Sequence, residues 1–446
     1  MYLLRHARLV LPGGVVHDGR LAVDGEWITE LGTGANGGPH AGTQVVDLTG
    51  YVVAPGFVDI HVHGGGGASF TEGGPDDARR TVAFHRAHGT TSTLASLVTA
   101  PVDQLERRIA MLADLADEGV IDGIHLEGPF LSAARCGAQD PRYLIEPDIA
   151  AFSRLQAASR GWLRMITIAP ELPGAAAVIR AAAAAGVIAA AGHTDASDEV
   201  TAAAVDAGIS HATHLFNGMR PIDHRAPGPA GALLDRQVTC EVIADGTHLH
   251  DAIVRLAARA AGPGNLVLIT DAMAAAGMPD GNYRLGELDV TVSGGVARLS
   301  GTTGGRAPEG TAPGGTAPGG TTAPGGTTAP AGTATAGTAP AGTAPAGTFA
   351  GATPPGSAGA IAGSTATMEL VVRRAITAIG LSVTDVADAA STTPARRLGL
   401  DGVTGSLRAG LAADIALLDS DFRLSAVIAR GVFQPAEGNG PSSDLA

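Results

Sequence analysis

Two histidines at the end of an apolar stretch are the first residues with an evident capacity for chemistry. Residues 55–65 read Pro-Gly-Phe-Val-Asp-Ile-His-Val-His-Gly-Gly. Side chains alternate between the two faces of a β-strand, so His61 and His63 point to the same side as Asp59. Two imidazoles that converge in this way are typical of a divalent-metal site. An isolated pair is also compatible with polar residues that only mark the end of a strand.

Further metal-competent side chains stand at the ends of other apolar stretches: Glu127, His193, His214 and Asp271. Taken alone, each has a structural explanation. Glu127 precedes Gly-Pro and is typical of a turn, while His193 and Asp271 are typical of polar residues that begin a helix or a turn. Together with the first two histidines they are hard to explain by chance. Imidazole and carboxylate suit zinc or iron(II), and an ion with an open coordination position lowers the pKa of water toward neutrality.

The basic residues narrow the possible chemistry. All 29 Lys and Arg positions are Arg. The absence of lysine excludes Schiff-base catalysis, a P-loop lysine and a carbamylated lysine as a bridge between metals. The two cysteines, Cys136 and Cys240, predict neither a disulfide framework nor a thiolate cluster. Any metal must therefore be held by histidine and carboxylate.

An α/β fold is predicted from the elements that carry these residues. The strand-like stretches are 57–63, 91–98, 123–127, 163–169, 187–193, 211–216, 238–244 and 266–271. Helix-like stretches separate them, among them 76–88, 102–117, 174–185, 199–207 and 251–261. Eight strand–helix units match a (β/α)8 TIM-like barrel, in which the C-terminal strand ends share the rim that carries the active site. The alternative is a doubly wound open sheet, but no Gly-rich dinucleotide-binding motif follows an early strand.

The chain ends and a repeat segment complete the predicted organisation. We expect a small β-sandwich domain built from both chain ends, at 1–53 and 401–446, beside a catalytic barrel at 54–300 that helices at 361–400 complete. Between the barrel segments lies a low-complexity Thr/Ala/Pro/Gly insertion at 301–360. With almost no apolar bulk it cannot repay the entropy of ordering, so it is predicted to be disordered. The cost of closing a loop grows slowly with length, so folding should tolerate the insertion.

Charge and hydropathy limit the possible partners and location. The formal net charge is −14, which argues against nucleic acid or an anionic membrane as a partner. Apolar runs such as 181–191 are too short to span a bilayer, and the first residues lack the apolar core of a signal peptide. A soluble, cytoplasmic protein is therefore expected.

Several longer motifs carry a family resemblance. They are 55–64 (PGFVDIHVHG), 125–130 (HLEGPF), 191–196 (AGHTDA), 213–219 (THLFNGM), 244–248 (ADGTH), 270–273 (TDAM) and 361–364 (IAGS). With them the chain resembles the N-acetylglucosamine-6-phosphate deacetylases of the amidohydrolase superfamily. HLEGP followed by THLFN is specific to this branch, whereas His-x-His belongs to the whole superfamily. The similarity covers nearly the whole chain except the repeats.

The resemblance implies a metal centre and a general base. It implies that Glu127, His193 and His214 bind one ion, and that His61 and His63 bind a second ion that shares Glu127. Some members have lost the first histidine pair and work with one metal, whereas this chain keeps the pair. Asp271 resembles the general base that takes a proton from the attacking water and returns it to the leaving amine.

The resemblance also implies residues that bind the phosphate of the substrate. Arg225 and His248 would hold it together with backbone groups near Asn217 and Gly218, because a guanidinium can grip phosphate oxygens in a bidentate fork. Without the family argument, Arg225 is equally compatible with a solvated surface charge. His250 is a nearby alternative to His248.

Two further positions are implied to contact substrate. Ile361 resembles an apolar residue that faces the acetyl methyl group, although a role in the core is a close alternative. Gln139 stands where the family commonly has a histidine that reaches the substrate. Glutamine can donate a hydrogen bond but cannot carry charge, so weaker phosphate binding or altered specificity is expected.

The expected activity is the deacetylation of an amino-sugar phosphate by a homodimer with one or two divalent ions per chain. One alternative is another metal-dependent amidohydrolase, such as a deaminase or a cyclic-amidase relative. A second is a non-catalytic protein that binds the amino-sugar phosphate, or a partner-binding protein that uses the repeats as a tether. Histidine and carboxylate accept zinc, iron, manganese or cobalt, and the sequence does not separate glucosamine from galactosamine substrates.

Overall fold

The structure is a computed structural model that describes residues 1–34, 42–300 and 359–436 of the 446-residue chain. Disorder was predicted for residues 301–360. Of these, residues 301–358 lie outside the described residues, and 359 and 360 lie within them. At the end of this segment, the amide of Gly359 donates to the carbonyl of Leu299, and the amide of Leu299 donates to the carbonyl of Ala360, both at 2.9 Å. The chain is thus described on both sides of the repeats.

The N-terminal strands form one sheet with strands from the other chain end. They are β1 (Tyr2–Leu11), β2 (Gly14–Asp24), β3 (Trp27–Thr33), β4 (Gln44–Asp47) and β5 (Val52–Pro55). Strand β1 pairs antiparallel with β2 and parallel with both β4 and β5. A cluster that includes Leu9, Leu21 and Ile28 packs inside this sheet.

Eight parallel strands form the barrel that carries the site. They are β6 (Phe57–Val62), β9 (Thr90–Leu97), β10 (Gly123–Glu127), β11 (Leu163–Ile168), β12 (Ile188–Ala191), β13 (Ile209–Ala212), β14 (Thr239–Ile243) and β15 (Leu266–Ile269), paired in that order. A two-residue pair, β7 (Gly64–Gly65) with β8 (Ala68–Ser69), follows β6. All residues of β6, β10, β14 and β15 are buried, as expected for strands covered on both faces.

Hydrogen bonds between the ends of β6 and β15 close the barrel. The amide of Asp271 donates to the carbonyl of His61 at 2.9 Å, and the amide of His63 donates to the carbonyl of Ala272 at 2.8 Å. The buried carboxylate of Asp59 accepts from the Thr270 hydroxyl at 2.6 Å across the same seam. Residues that were predicted to do chemistry therefore also lie where the first and last strands meet.

The helices surround the barrel. They are α1 (Pro75–Ala87), α2 (Val102–Asp117), α3 (Ile149–Ala158), α4 (Ala175–Ala184), α5 (Asp198–Ala207), α6 (Gly228–Asp235), α7 (Asp251–Ala261) and α8 (Met368–Thr377). Helix α2 illustrates why they form, because Leu105, Ile109 and Leu112 recur at helical spacing and are buried. Among the helices of the described residues, none combines the length and the apolar character needed to cross a membrane.

The remaining elements are a small separate sheet, three short helical segments and the C-terminal strands. A separate antiparallel sheet consists of β16 (Gly281–Leu285), β17 (Leu288–Ser293) and β18 (Val296–Leu299). After α8, a short α9 (Val383–Ala387), one π-helical turn and α10 (Thr393–Arg397) lead to β19 (Ile415–Leu418), β20 (Leu424–Ala429) and β21 (Val432–Pro435). Strand β19 pairs antiparallel with β5, which joins the two chain ends in one sheet.

The predicted fold class is confirmed. The eight barrel strands coincide with the predicted stretches to within a few residues, and strands from both chain ends share one sheet. The sheet β16–β18 was not predicted, because its residues fall inside the stretch assigned to the barrel. Within the stretch 361–400 that was predicted to be helical, the first helix begins only at Met368, because Thr367 caps it and Ser364 bridges to Ala272.

Leu94 is fully buried in the barrel interior beside Val58 and Met165. Replacing it with alanine removes packed methyl groups, so Leu94→Ala should lower the free energy of unfolding by about 2–5 kcal/mol. Leu256, which is 54% exposed, is the matched control, and its change to alanine should stay within about 0.5 kcal/mol. Urea denaturation followed by circular dichroism measures both, and equal losses would contradict the assigned interior.

Candidate metal centre and active site

The six rim residues from the sequence lie at the C-terminal ends of barrel strands. Glu127 is the last residue of β10, and His63 directly follows β6. The other late positions follow their strands by two residues, with left-handed φ values of 46° at His193, 28° at His214 and 49° at Asp271. Left-handed backbone is uncommon for residues other than glycine and clusters at functional sites. These turns end the strand alternation and leave the three side chains buried.

Two groups of side chains bring possible metal ligands together. One consists of His61, His63 and Glu127, and the other of Glu127, His193 and His214, with the ligand atoms of each group within 4.8 Å of one another. Every member is buried. Glu127 belongs to both groups and connects them.

The ligand atoms face one another closely. The Nε2 atoms of His61 and His63 are 3.1 Å apart, as are those of His193 and His214. Glu127 Oε1 lies 3.0 Å from His193 Nε2 and 2.9 Å from His214 Nε2. Its other oxygen, Oε2, lies 3.4 Å from His63 Nε2. One carboxylate therefore presents an oxygen to each histidine pair.

The protein fixes which nitrogen of three rings carries the proton. Nδ1 of His63 donates to the carbonyl of Ser96 at 3.2 Å, and Nδ1 of His193 donates to the carbonyl of Arg135 at 2.9 Å. Nδ1 of His61 donates to the carboxylate of Glu241 at 3.0 Å. All three partners can only accept, so in each neutral ring the lone pair lies on Nε2.

This donor set fits a divalent cation. In the first pair, neutral rings would direct two nitrogen lone pairs at each other across 3.1 Å, next to buried carboxylates. Such an arrangement is repulsive unless a positive charge lies between the atoms. Four imidazole nitrogens and a shared carboxylate are the ligand types that zinc and iron accept.

Electrostatics within the cluster point the same way. Burial raises the pKa of Glu127, but the imidazoles, His193 and His61 foremost, lower it to well below its usual range. Conversely, burial lowers the pKa of His61, but the carboxylates of Asp271, Glu241 and Glu127 raise it well above its usual value. The carboxylates thus favour positive charge at the centre of the cluster.

Asp271 adjoins the first histidine pair. Its Oδ1 lies 3.1 Å from His63 Nε2 and 3.4 Å from His61 Nε2. Burial raises the pKa of Asp271, but His61 and His63 lower it overall, so the carboxylate is ionised and able to accept a proton. The amide of Ser364 donates to the carbonyl of Asp271 at 2.7 Å and holds this turn in place.

Gln139 contacts the shared carboxylate directly. Its Nε2 donates to Glu127 Oε2 at 2.5 Å, and its Oε1 accepts from the amide of Thr99 at 2.7 Å. The side chain is only 3% exposed. Both ends of the amide are therefore engaged by protein, and Gln139 orients Glu127 in this structure.

Asn217 and Gly218 lie beside the second histidine pair. Asn217 Nδ2 donates to the carbonyl of His214 at 3.2 Å. Gly218 has φ +59°, and a Cβ there would lie 2.9 Å from His193 Nδ1. A side chain at Gly218 would therefore displace the histidine ring.

The two predicted phosphate ligands differ in their surroundings. Nδ1 of His248 donates to Asp245 at 2.8 Å, and the ring is largely buried, with 6% of the side chain exposed. Arg225 is exposed on the loop before α6, where its amide donates to Asp223 at 2.9 Å. The structure thus holds His248 in place, whereas no side-chain contact of Arg225 to the cluster is present among the described residues. Ile361 is half-buried and pairs with Arg298 through a β-bridge.

The geometry can be compared with known proteins. The family model described as "Amidohydrolase family" matches residues 52–434, a range that holds all eight barrel strands and the whole rim. The chain belongs to the amidohydrolase family. Proteins of this family depend on metal ions, in agreement with the His and Glu groups at the rim.

Similar proteins carry more specific descriptions. A solved variant of N-acetyl-D-glucosamine-6-phosphate deacetylase from Mycobacterium smegmatis, in complex with N-acetyl-D-glucosamine-6-phosphate, is 40% identical, with a TM-score of 0.80 over 97% of this chain and 98% of that chain. An N-acetylgalactosamine-6-phosphate deacetylase from Escherichia coli O157:H7 is 31% identical over 96% of this chain and 98% of the relative. An N-acetylglucosamine-6-phosphate deacetylase from Bacillus subtilis is 30% identical over 96% of both.

The sequence analysis missed Glu241. It lies in the strand Thr-Cys-Glu-Val-Ile and is 0% exposed. A charged residue in the middle of a buried strand is costly unless it is paired. Its position in an apolar run therefore indicated a buried partner of opposite charge or a hydrogen-bond donor. The pairing with His61 is long-range and could not be found from local spacing. Arg135 and Arg220 were also missed; both bind Asp195, at 2.8 Å each, beside His193.

Because Glu127 faces both histidine pairs, Glu127→Gln should weaken metal binding in both groups. After exhaustive dialysis, we expect the Glu127→Gln variant to retain less than one ion per chain and less metal than the wild-type protein. Elemental analysis measures the metal content of both. Glu118→Gln, at a carboxylate whose side chain is 53% exposed on the surface, should leave the metal content unchanged. Wild-type metal content in Glu127→Gln would contradict a shared ligand.

Proposed function

We propose that this protein hydrolyses the acetamide of N-acetylglucosamine 6-phosphate to glucosamine 6-phosphate and acetate. One observation carries the proposal: the carboxylate of Asp271 lies 3.1 Å from a histidine pair that shares Glu127 with a second pair. This arrangement occurs in a chain that is 40% identical to a deacetylase solved with this substrate. Activity in amino-sugar catabolism and cell-wall sugar recycling would follow.

Each side chain has a proposed role. When bound, the divalent ion supplies Lewis acidity, which lowers the pKa of water and polarises the amide carbonyl. The ions would be held by the two histidine pairs and the shared carboxylate: His61, His63, His193, His214 and Glu127. Asp271 accepts the proton of the attacking water, and it later returns this proton to the nitrogen as the C–N bond breaks.

The substrate is held by groups farther along the rim. His248 is oriented by Asp245, and as an imidazolium it would donate Nδ1–H to Asp245 and Nε2–H to a phosphate oxygen. Arg225 adds a guanidinium, and backbone groups near Asn217 and Gly218 add further polar contacts. We place Ile361 against the acetyl methyl group. Gln139 acts at the same time on Glu127 and on the bound sugar.

A galactosamine substrate is the second candidate. The E. coli relative, which covers 96% of this chain, is described as acting on the galactosamine derivative. The two sugars differ in the orientation of one hydroxyl group, which is not part of the acetamide that is hydrolysed. Both substrates therefore need the same chemistry at the rim and differ only in sugar contacts.

The remaining properties rest on the family resemblance. We propose that the ion is zinc or iron, and that two ions bind per chain because both histidine pairs are present. We also propose that the protein is a homodimer and that it is located in the cytoplasm. A non-catalytic sugar-phosphate protein would not need Asp271 beside the first histidine pair.

The proposal is tested by measuring acetate release by metal-stripped protein that has been reloaded with zinc or iron. The substrates compared are N-acetylglucosamine 6-phosphate, its galactosamine epimer and unphosphorylated N-acetylglucosamine. We expect release from a phosphorylated sugar well above that from the plain sugar. Arg225→Ala should reduce kcat/KM for the phosphorylated sugar about tenfold or more, because a charge-assisted bond to phosphate contributes about 1.5–3 kcal/mol.

The matched control for the phosphate clamp is Arg180→Ala, on the exposed face of α4, which should leave kcat/KM unchanged. Equal losses on the phosphorylated and the plain sugar in Arg225→Ala would remove Arg225 from phosphate binding. Binding of the phosphosugar without any acetate release would favour the non-catalytic alternative.

Asp271→Asn keeps the size of the side chain but removes its capacity to accept a proton. We expect metal content and phosphosugar binding to stay near wild type while kcat falls by about 10²–10⁴. Asp114→Asn, at an exposed carboxylate of α2, should retain full turnover. Unchanged kcat in Asp271→Asn would exclude this carboxylate as the base.

A further inference from the structure

Glu241 is a buried carboxylate that neither the sequence motifs nor the ligand groups account for. It lies in the middle of β14, and all five residues of this strand are buried. Its own side chain is 0% exposed. A carboxylate without access to water is costly unless several donors surround it. The donors that it finds indicate what it does.

Three hydrogen bonds from described residues reach the carboxylate of Glu241. Oε2 accepts from His61 Nδ1 and from the backbone amide of His214, both at 3.0 Å. Oε1 accepts from His211 Nε2 at 3.1 Å. Two of the three donors therefore belong to residues with Nε2 atoms in the metal centre, one in each group.

The contact with His61 selects the form of its ring. Because the carboxylate can only accept, Nδ1 of His61 carries the proton and the lone pair is on Nε2. That Nε2 is the atom 3.1 Å from His63 Nε2 and 3.6 Å from Glu127 Oε1. The ring is 0% exposed, so water cannot replace Glu241 as the acceptor. A carboxylate behind an imidazole also makes the imidazole a stronger ligand.

The contact with His214 supports its backbone. His214 has φ 28°, in the left-handed region that residues other than glycine rarely adopt. Its amide, two residues beyond the end of β13, finds its acceptor in Glu241 rather than in a neighbouring strand. The resulting turn directs His214 Nε2 at Glu127 Oε1, at 2.9 Å.

We propose that Glu241 is the positioning residue that fixes the metal-binding form of His61 and the backbone turn of His214. It does not belong to either group of converging ligand atoms among the described residues. It acts behind the ligands and couples the two pairs, because the same oxygen holds one ligand of each. The inference rests on the proposed function only in that the cluster binds metal.

Glu241→Gln tests this role with little change in volume. Zinc affinity of the metal-stripped protein, measured by competition with a chromophoric chelator, should fall about 10–100-fold. Glu171→Gln is the matched control, because Glu171 also holds a residue next to a ligand, through the Thr194 hydroxyl at 2.5 Å, but has no contact with an imidazole of the described residues. Its zinc affinity should stay within about twofold of wild type. Wild-type affinity in Glu241→Gln, or an equal loss in Glu171→Gln, would overturn the proposal.

A second measurement covers the case in which Glu241→Gln does not fold. In wild-type protein labelled with ¹⁵N-histidine and loaded with zinc, the signal of His61, assigned by its loss in His61→Gln, should report protonated Nδ1. A His61 ring protonated on Nε2 would overturn the proposal. Neither measurement uses a substrate, so a lack of acetate release would count against the proposed function alone.

Discussion

Four histidine nitrogens that face one another inside a barrel rim are the constraint on which the site depends. In the first pair, Nε2 atoms 3.1 Å apart repel each other unless a positive charge lies between them, because carboxylate and carbonyl acceptors fix the protons of His61 and His63 on the opposite nitrogen. In the second pair the proton of His193 is fixed in the same way, and both rings face Glu127 Oε1. Without a cation this arrangement lowers the stability of the fold, and metal binding offsets that loss. Binding energy of this kind is also folding energy, since ligands are assembled only in the folded chain.

The barrel seam explains how distant parts of the chain meet in this arrangement. The backbone of His61 and His63 hydrogen-bonds to residues 271 and 272, so the first histidine pair and Asp271 are placed by the same bonds that close the barrel. Ser364, which follows the repeats, holds the carbonyl of Asp271 at 2.7 Å. A base and its neighbouring ligands are therefore kept in register by main-chain bonds. Such rigidity is what positions catalytic groups within a fraction of an ångström.

The strands, and the His and Glu residues that stand at their ends, could be predicted because both are local signals. Buried parallel strands read as continuous apolar runs, and a His or Glu at the end of such a run stands out. The exact strand ends at His193 and His214 differ, since left-handed backbone turns there depend on tertiary contacts. The pairing of Glu241 with His61 and that of Gln139 with Glu127 could not be predicted, because the partners are 180 and 12 residues apart in the chain. Arg225 lies on an exposed loop, where spacing gives no information about contacts.

The most direct test of the account is to add zinc stepwise to metal-stripped protein and to follow acetate release from N-acetylglucosamine 6-phosphate at each addition. The account predicts no release from the stripped protein and a rise in activity that ends when both histidine pairs, joined by Glu127, are filled. Full turnover by protein without detectable metal would contradict it, because the histidine nitrogens would then converge on a centre that the reaction does not need.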